Sequence, residues 1–181
     1  MLCRLNWPRR GEPPQVYLLY GPPGCGKTRL VNDKYPIGGP CFKKAPDTKW
    51  FDGYDGQEIL LLDDFAGAAS KMSLNYVLQL LDRYEMTVEV KGDSVPLLAK
   101  KIFITTNIHP SLWFKWENRK IQYEALSRRI HHVIGFAPNY VPFLLYKAPF
   151  FGVLEEQQFN DYSSSNCVWR EERSILPMPD L

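Results

Sequence analysis

Residues 20–28 read YGPPGCGKT, directly after the apolar run Val16-Tyr17-Leu18-Leu19 and directly before RLVNDKY at 29–35. From Gly21 the chain matches G-x-x-x-x-G-K-[ST] in full, between a strand signal and a helix signal, the setting this phosphate-binding loop requires. The expected contacts follow from residue type. Gly24 and Gly26 let backbone N–H groups turn inward around phosphate oxygens, which bulkier residues would obstruct. The new helix adds its positive N-terminal end. Gly21, Pro22, Pro23, Gly24, Cys25, Gly26, Lys27 and Thr28 are therefore the expected nucleotide-binding residues. Lys27 should reach the β- and γ-phosphates, and the Thr28 hydroxyl should ligate Mg²⁺. Such a loop predicts a bound nucleoside triphosphate with Mg²⁺, and ATP if the chain is a motor, but kinases, GTPases and motors all carry it.

Outward from the loop, strand signals fall at 16–20, 59–62, 87–90 and 102–105. The runs at 59–62 and 102–105 are short, continuous and apolar, as strands buried on both faces are. MSLNYVLQLLDRY at 72–84 spaces Leu74, Val77, Leu78 and Leu81 as an amphipathic helix. QYEALSRRIHHVIGF at 122–136 reads as a helix running into a last strand. Strands alternating with helices after a phosphate loop predict a mostly parallel α/β sheet with helices on both faces, a P-loop NTPase. Residues 36–58, rich in Gly, Pro and Asp, are expected to be a long irregular connection. The spans are read as a linker-like 1–14, an ATPase domain at 15–136, and an extension of unassigned role at 137–181.

The chain has 181 residues, enough for one compact core, and its composition is ordinary for a globular protein, with 45% hydrophobic and 23% charged residues. A net charge of +2 leaves any nucleic-acid contact to local placement of Lys and Arg. Cys3, Cys25, Cys41 and Cys167 form no C-x-x-C pair, so neither a zinc site nor a disulfide framework is expected and a reducing compartment fits best. No apolar run approaches the roughly 18 residues of a membrane span, and MLCRLNWPRRGEPP has no secretory core. An intracellular location is expected, with no membrane partner.

EILLLDDF at 58–65 places two carboxylates after an apolar strand. Metal binding and water activation are separate tasks, so Asp63 is assigned to the Mg²⁺ shell and Asp64 to orienting or deprotonating the attacking water. KKIFITTN at 100–107 ends another buried strand in Asn107, placed to sense the γ-phosphate as polar strand ends do in motor ATPases. No guanine-reading N-K-x-D string occurs, which sets a GTPase aside. LDRYE at 81–85 keeps a nucleoside kinase as an alternative, although the Arg-rich lid of such enzymes has only Lys115, Arg119 and Lys120 to represent it.

GPPGCGKT, KWFDGYDGQEILLLDDFAG, LDRYEMTVEVKGDSVPLLAKKIFITTN and EALSRRI occur in that order. From about Tyr17 to Phe136 the chain resembles the superfamily 3 helicase domain of replication-associated (Rep) proteins of circular single-stranded DNA viruses, circovirus-like ones especially. The resemblance implies an AAA+-like core and an ATP-dependent DNA helicase of rolling-circle replication in the host nucleus or cytoplasm. It implies a β-hairpin over 87–98 that projects into the channel of a homo-oligomeric, hexameric ring. Alternation agrees with that strand locally, with Thr87, Glu89 and Lys91 on one face and Val88 and Val90 on the other. Lys91 and Gly92 at the turn are the expected grip on the backbone of single-stranded DNA or RNA. Arg128 and Arg129 both match the arginine that completes a neighbour's active site, and either could fill the role. The family's nicking domain carries His-hydrophobe-His and Tyr-x-x-Lys motifs, and neither occurs here. The nicking domain is therefore expected to be absent and no nicking or joining activity is expected, a separate domain or protein being the candidate partner for it. An RNA-directed helicase and a partial Rep protein without motor activity are the alternatives.

Overall fold

The computed structural model describes residues 10–136, the backbone of 142–147, and residues 180–181. The elements run β1 (Gln15–Tyr20), α1 (Lys27–Lys34), β2 (Cys41–Lys44), β3 (Ile59–Leu62), α2 (Leu74–Leu80), β4 (Thr87–Val90), β5 (Asp93–Pro96), β6 (Lys101–Thr106), α3 (Lys120–Arg129), β7 (His132–Phe136) and β8 (Pro142–Lys147). Two short 3₁₀ turns, Gly67–Ala69 and Pro110–Leu112, fill the connections after β3 and β6.

Six strands form one sheet in the order β2-β3-β6-β1-β7-β8, parallel except for β8, which returns antiparallel to β7. β4 and β5 make a separate hairpin. The expected α/β class and parallel sheet are thus present. β1, the strand before the phosphate loop, sits inside the sheet between β6 and β7, so its run Val16–Tyr20 is buried on both faces. Side chains alternate across the pleat into two cores. Val16, Leu18, Leu60, Leu62, Ile102 and Ile104 face α2, α3 and the hairpin, while Tyr17, Leu19, Leu61 and Phe103 face α1.

α1 begins at Gly26 in the left-handed region (φ 92°), and no side chain caps it. Its first N–H groups are therefore left for an anion rather than consumed by a Ser or Asp cap. α2 differs, because Ser73 caps it by accepting from the Tyr76 N–H. Leu74, Val77, Leu80 and Leu81 are its buried positions, and Leu78 is only partly so.

Residues 36–58 are not irregular throughout, which corrects the expectation. Cys41–Lys44 adds a parallel edge strand to β3, and Phe51 and Tyr54 pack in the core with Phe42. CFKK carries only a weak strand signal, since half of it is polar and an edge strand pairs on one side. Its Lys44 is nevertheless buried, with its ammonium satisfied by the carbonyls of Ala45 and Thr48. The same segment braces the hairpin: the Phe51 N–H donates to Glu89 O at 2.8 Å, and Asp52 accepts from the Lys91 N–H at 2.5 Å.

At the other end, Arg10 and Pro14 of the linker-like stretch are buried. β8 lies within 137–181, where no strand was expected. Residues 1–9 and most of 137–181, with Cys3 and Cys167, lie outside the described residues, while Cys25 and Cys41 are buried free thiols. Among the described residues no helix is long and apolar enough to cross a membrane.

Candidate functional site: a phosphate cleft at the ends of three strands

Parallel pairing brings the C-terminal ends of β3, β6 and β1 level, with Leu62 opposite Ile104 and Tyr20 opposite Thr106. The phosphate loop, the Asp63-Asp64 pair and Asn107 each follow one of these strands, so they meet at one edge of the sheet. This is where open α/β sheets place their ligands. A cleft of about 470 Å³ opens there, lined by the loop from Pro23 to Arg29 together with Asp64 and Asn107. A larger hollow of about 690 Å³ shares none of these lining residues and brings together no phosphate loop or acid pair.

Lys27 is buried and anchored from four sides. Its ammonium donates to Gly21 O and Pro22 O at 2.8 Å each and to Asn107 Oδ1 at 2.7 Å, and it lies 3.5 Å from Cys25 Sγ. The loop glycines permit this folding. Gly24 (φ 73°) and Gly26 (φ 92°) occupy the left-handed region, and a Cβ on Gly21 would stand 2.7 Å from Phe136 O of β7.

Asp63 is almost fully buried and engaged at both oxygens. Thr28 Oγ1 donates to Oδ1 at 2.6 Å, Thr105 Oγ1 lies 3.1 Å from the same oxygen, and Lys43 Nζ approaches Oδ2 at 3.2 Å. Burial pushes this carboxyl up, but the hydrogen bonds from Thr28, Lys43 and Thr105 and the Lys43 charge outweigh it and hold the group below the usual carboxylate range. A hydroxyl and a carboxylate oxygen in contact make a hard-oxygen donor pair suited to Mg²⁺, which takes one or two protein ligands and fills its octahedron with phosphate oxygens and water.

Asp64 is exposed and holds a positive φ of 50°, uncommon outside glycine. Its backbone N–H is tied to Thr105 Oγ1 at 2.8 Å. That kink turns Asp64 into the cleft while Asp63 stays down against Thr28, so adjacent acids take different environments. Backbone strain of this kind collects at functional sites. Thr105 and Lys43 are site residues that the sequence reading did not single out. An alternation count could have found Thr105, a polar residue inside a buried strand.

Beyond the cleft, the hairpin has the expected form. Val88 and Val90 are buried, Thr87 and Glu89 exposed, and Lys91 stands exposed at a turn whose positive φ (80°) falls on Gly92. Arg128 and Arg129 end α3 and are not equivalent. Arg129 Nη2 donates to Asp82 Oδ2 at 2.9 Å, whereas Arg128 is exposed and makes no ion pair among the described residues. Neither bonds Glu124, which pairs with Lys120 instead. Asp82, the acid of the kinase-like DRY, therefore faces Arg129 and does not line the phosphate cleft.

The sequence pattern of the family described as RNA helicase matches residues 17–108. The chain is also similar to replication-associated proteins of circoviruses. It is 40% identical over 119 residues to that of Porcine circovirus 2, covering 66% of this chain and 36% of the relative. With that of Beak and feather disease virus it shares 42% over 101 residues (56% and 32%), and with that of Goose circovirus 35% over 137 residues (75% and 44%). The chain thus spans between about a third and under a half of the curated relatives it matches.

Proposed function

The chain belongs to the RNA helicase family, with the superfamily 3 helicase domain of Rep proteins, and on that premise we propose that it is an ATP-driven motor on single-stranded DNA, serving replication of a small circular single-stranded DNA virus or related element. One observation carries the reading: Lys27, Thr28, Asp63, Asp64 and Asn107, spread over 81 residues, converge at the ends of three neighbouring strands.

In this reading the loop amides and Lys27 hold the triphosphate, and Lys27 exchanges its carbonyl partners for phosphate oxygens. Thr28 and Asp63 hold Mg²⁺, which neutralises charge on the phosphates when bound. Asp64 accepts a proton from the water whose oxygen attacks the γ-phosphorus, and ADP departs as the bond to the β-phosphate oxygen breaks. Asn107, already bonded to Lys27, registers the loss of the γ-phosphate and passes it through β6.

A neighbouring subunit of a hexameric ring supplies the arginine. The Asp82 pairing occupies Arg129, so Arg128 is the better placed to reach across. Lys91 grips the nucleic-acid backbone, and a separate domain or protein supplies nicking. Steady-state ATP hydrolysis with and without single-stranded DNA, at two salt concentrations, tests the reading. Stimulation that weakens with salt and vanishes in Lys27→Ala is expected, and hydrolysis indifferent to DNA would sink the motor assignment. An RNA-directed helicase is the second reading, favoured by the family's description. Equal-length DNA and RNA strands competing for one labelled strand separate the two.

A further inference from the structure

The DRY segment takes no part in the chemistry described above, yet its acid is tied to the arginine pair. Asp82 lies just past the end of α2, where the chain turns towards β4. Its two oxygens do different work. Oδ1 accepts from the Arg83 N–H at 2.7 Å and closes the local turn, and Oδ2 takes Arg129 at 2.9 Å, 47 residues away. The turn is clamped from a third direction by Arg10. That buried guanidinium donates to Leu80 O at 2.9 Å, to Gln79 O at 3.4 Å and to Tyr84 O at 2.7 Å, carbonyls on both sides of Asp82. The placement also suits a cation, because the C-terminal carbonyls of a helix carry partial negative charge.

On the other side of the ion pair, α3 is held by buried Leu126 and Ile130, and Arg129 adds a further contact that bears on the rotation of its last turn. Arg128 follows from that rotation, since neighbours on a helix diverge by about 100°. From this geometry we infer that Asp82 is a positioning residue: seated on the turn that Arg10 clamps and holding Arg129, it aims Arg128 at the site of the next subunit. The inference rests on the motor reading above. An arginine acting across an interface works only if its approach is held to within about an ångström.

Asp82→Asn is the informative substitution, because Asn keeps an oxygen for the Arg83 N–H and loses the charge that holds Arg129. It is measured in the full chain by steady-state ATPase, by binding of a fluorescent ADP, and in mixed rings. A fall in kcat of about tenfold or more is expected, with KM and ADP affinity unchanged. Mixing with Asp64→Asn subunits should restore activity above the average of the two alone, since those subunits contribute a well-aimed Arg128 to intact Asp82→Asn sites. Mixing with Arg128→Ala subunits should restore none. Parental kcat in Asp82→Asn, or a loss that Asp64→Asn subunits fail to rescue, overturns the inference. If Arg128→Ala alone kept parental kcat, the shared-site part of the motor reading would fall as well, which separates the two failures.

Discussion

The ammonium of Lys27 donates to the side-chain oxygen of Asn107 at 2.7 Å, joining residues 80 apart in the chain across the neighbouring ends of β1 and β6. The residues assigned as phosphate anchor and as sensor are thus in direct contact. Movement of either is felt by the other.

That contact separates two variants. Lys27→Ala removes both anchor and charge, and hydrolysis should fall by several orders of magnitude. Asn107→Ala leaves the loop intact, so fluorescent-ATP affinity should change by less than about fivefold while kcat falls by about 10²-fold. Equal losses of affinity in both variants would show that Asn107 is part of the binding loop and no sensor.

At the hairpin, Lys91→Ala removes one exposed cation from a turn whose backbone is set by Gly92 and Asp52. Single-strand affinity should drop similarly for every sequence, and the slope of log K against log salt should shrink by about 0.7, the value for one phosphate contact. An unchanged slope would place the grip elsewhere.

Gly67 offers a stability test away from the chemistry. Its φ is 63°, and an added Cβ would stand 2.0 Å from Trp113 O. Backbone would have to move, because the Ala68 N–H is itself bonded to that carbonyl at 2.6 Å. Gly67→Ala should cost about 2–4 kcal/mol in urea unfolding. Loss below about 0.5 kcal/mol would mean that the turn yields easily.

Between pH 6.5 and about 4, acid should act through the buried histidines. Burial pulls His109 down to about 4 from an ordinary 6.5, and burial lowers His131 as well. Between those two values the unfolded chain binds the His109 proton and the folded one does not, so stability falls as pH drops from 6.5 towards 4. The loss from His109 should be on the order of 1–3 kcal/mol, and His109→Gln should flatten that limb of a stability–pH curve. An unaltered slope in the variant would assign the effect to other groups.

How much of this was legible differs from element to element. β1, β3 and β6 could be read because strands buried on both faces must be apolar throughout, and the phosphate loop because its spacing has few other uses. The meeting of Asp63, Asp64 and Asn107 at one edge of the sheet followed from their standing at the ends of such runs. β2 was not legible, since CFKK is half polar and its burial depends on β3 beside it and on carbonyls that satisfy Lys44. Thr105 was passed over because its hydroxyl looks like a strand-former's ornament until Asp63 and Asp64 are placed around it.

Local sequence by itself determined the groups on offer: a glycine-rich loop of the phosphate-binding pattern, an acid pair, a polar strand end, a hairpin with a cation at its turn, and two arginines closing a helix. Those are short-range patterns, set by what each residue can donate, accept or bury. Only the tertiary structure decided their relations. It inserted β6 between β1 and β3, which puts Asn107 on Lys27 and Thr105 on both acids. It also gave Arg129 to Asp82 and left Arg128 exposed. The reason is that strand order and ion-pair choice depend on which surfaces meet across the fold, and residues 47 or 80 positions apart leave no local trace of meeting.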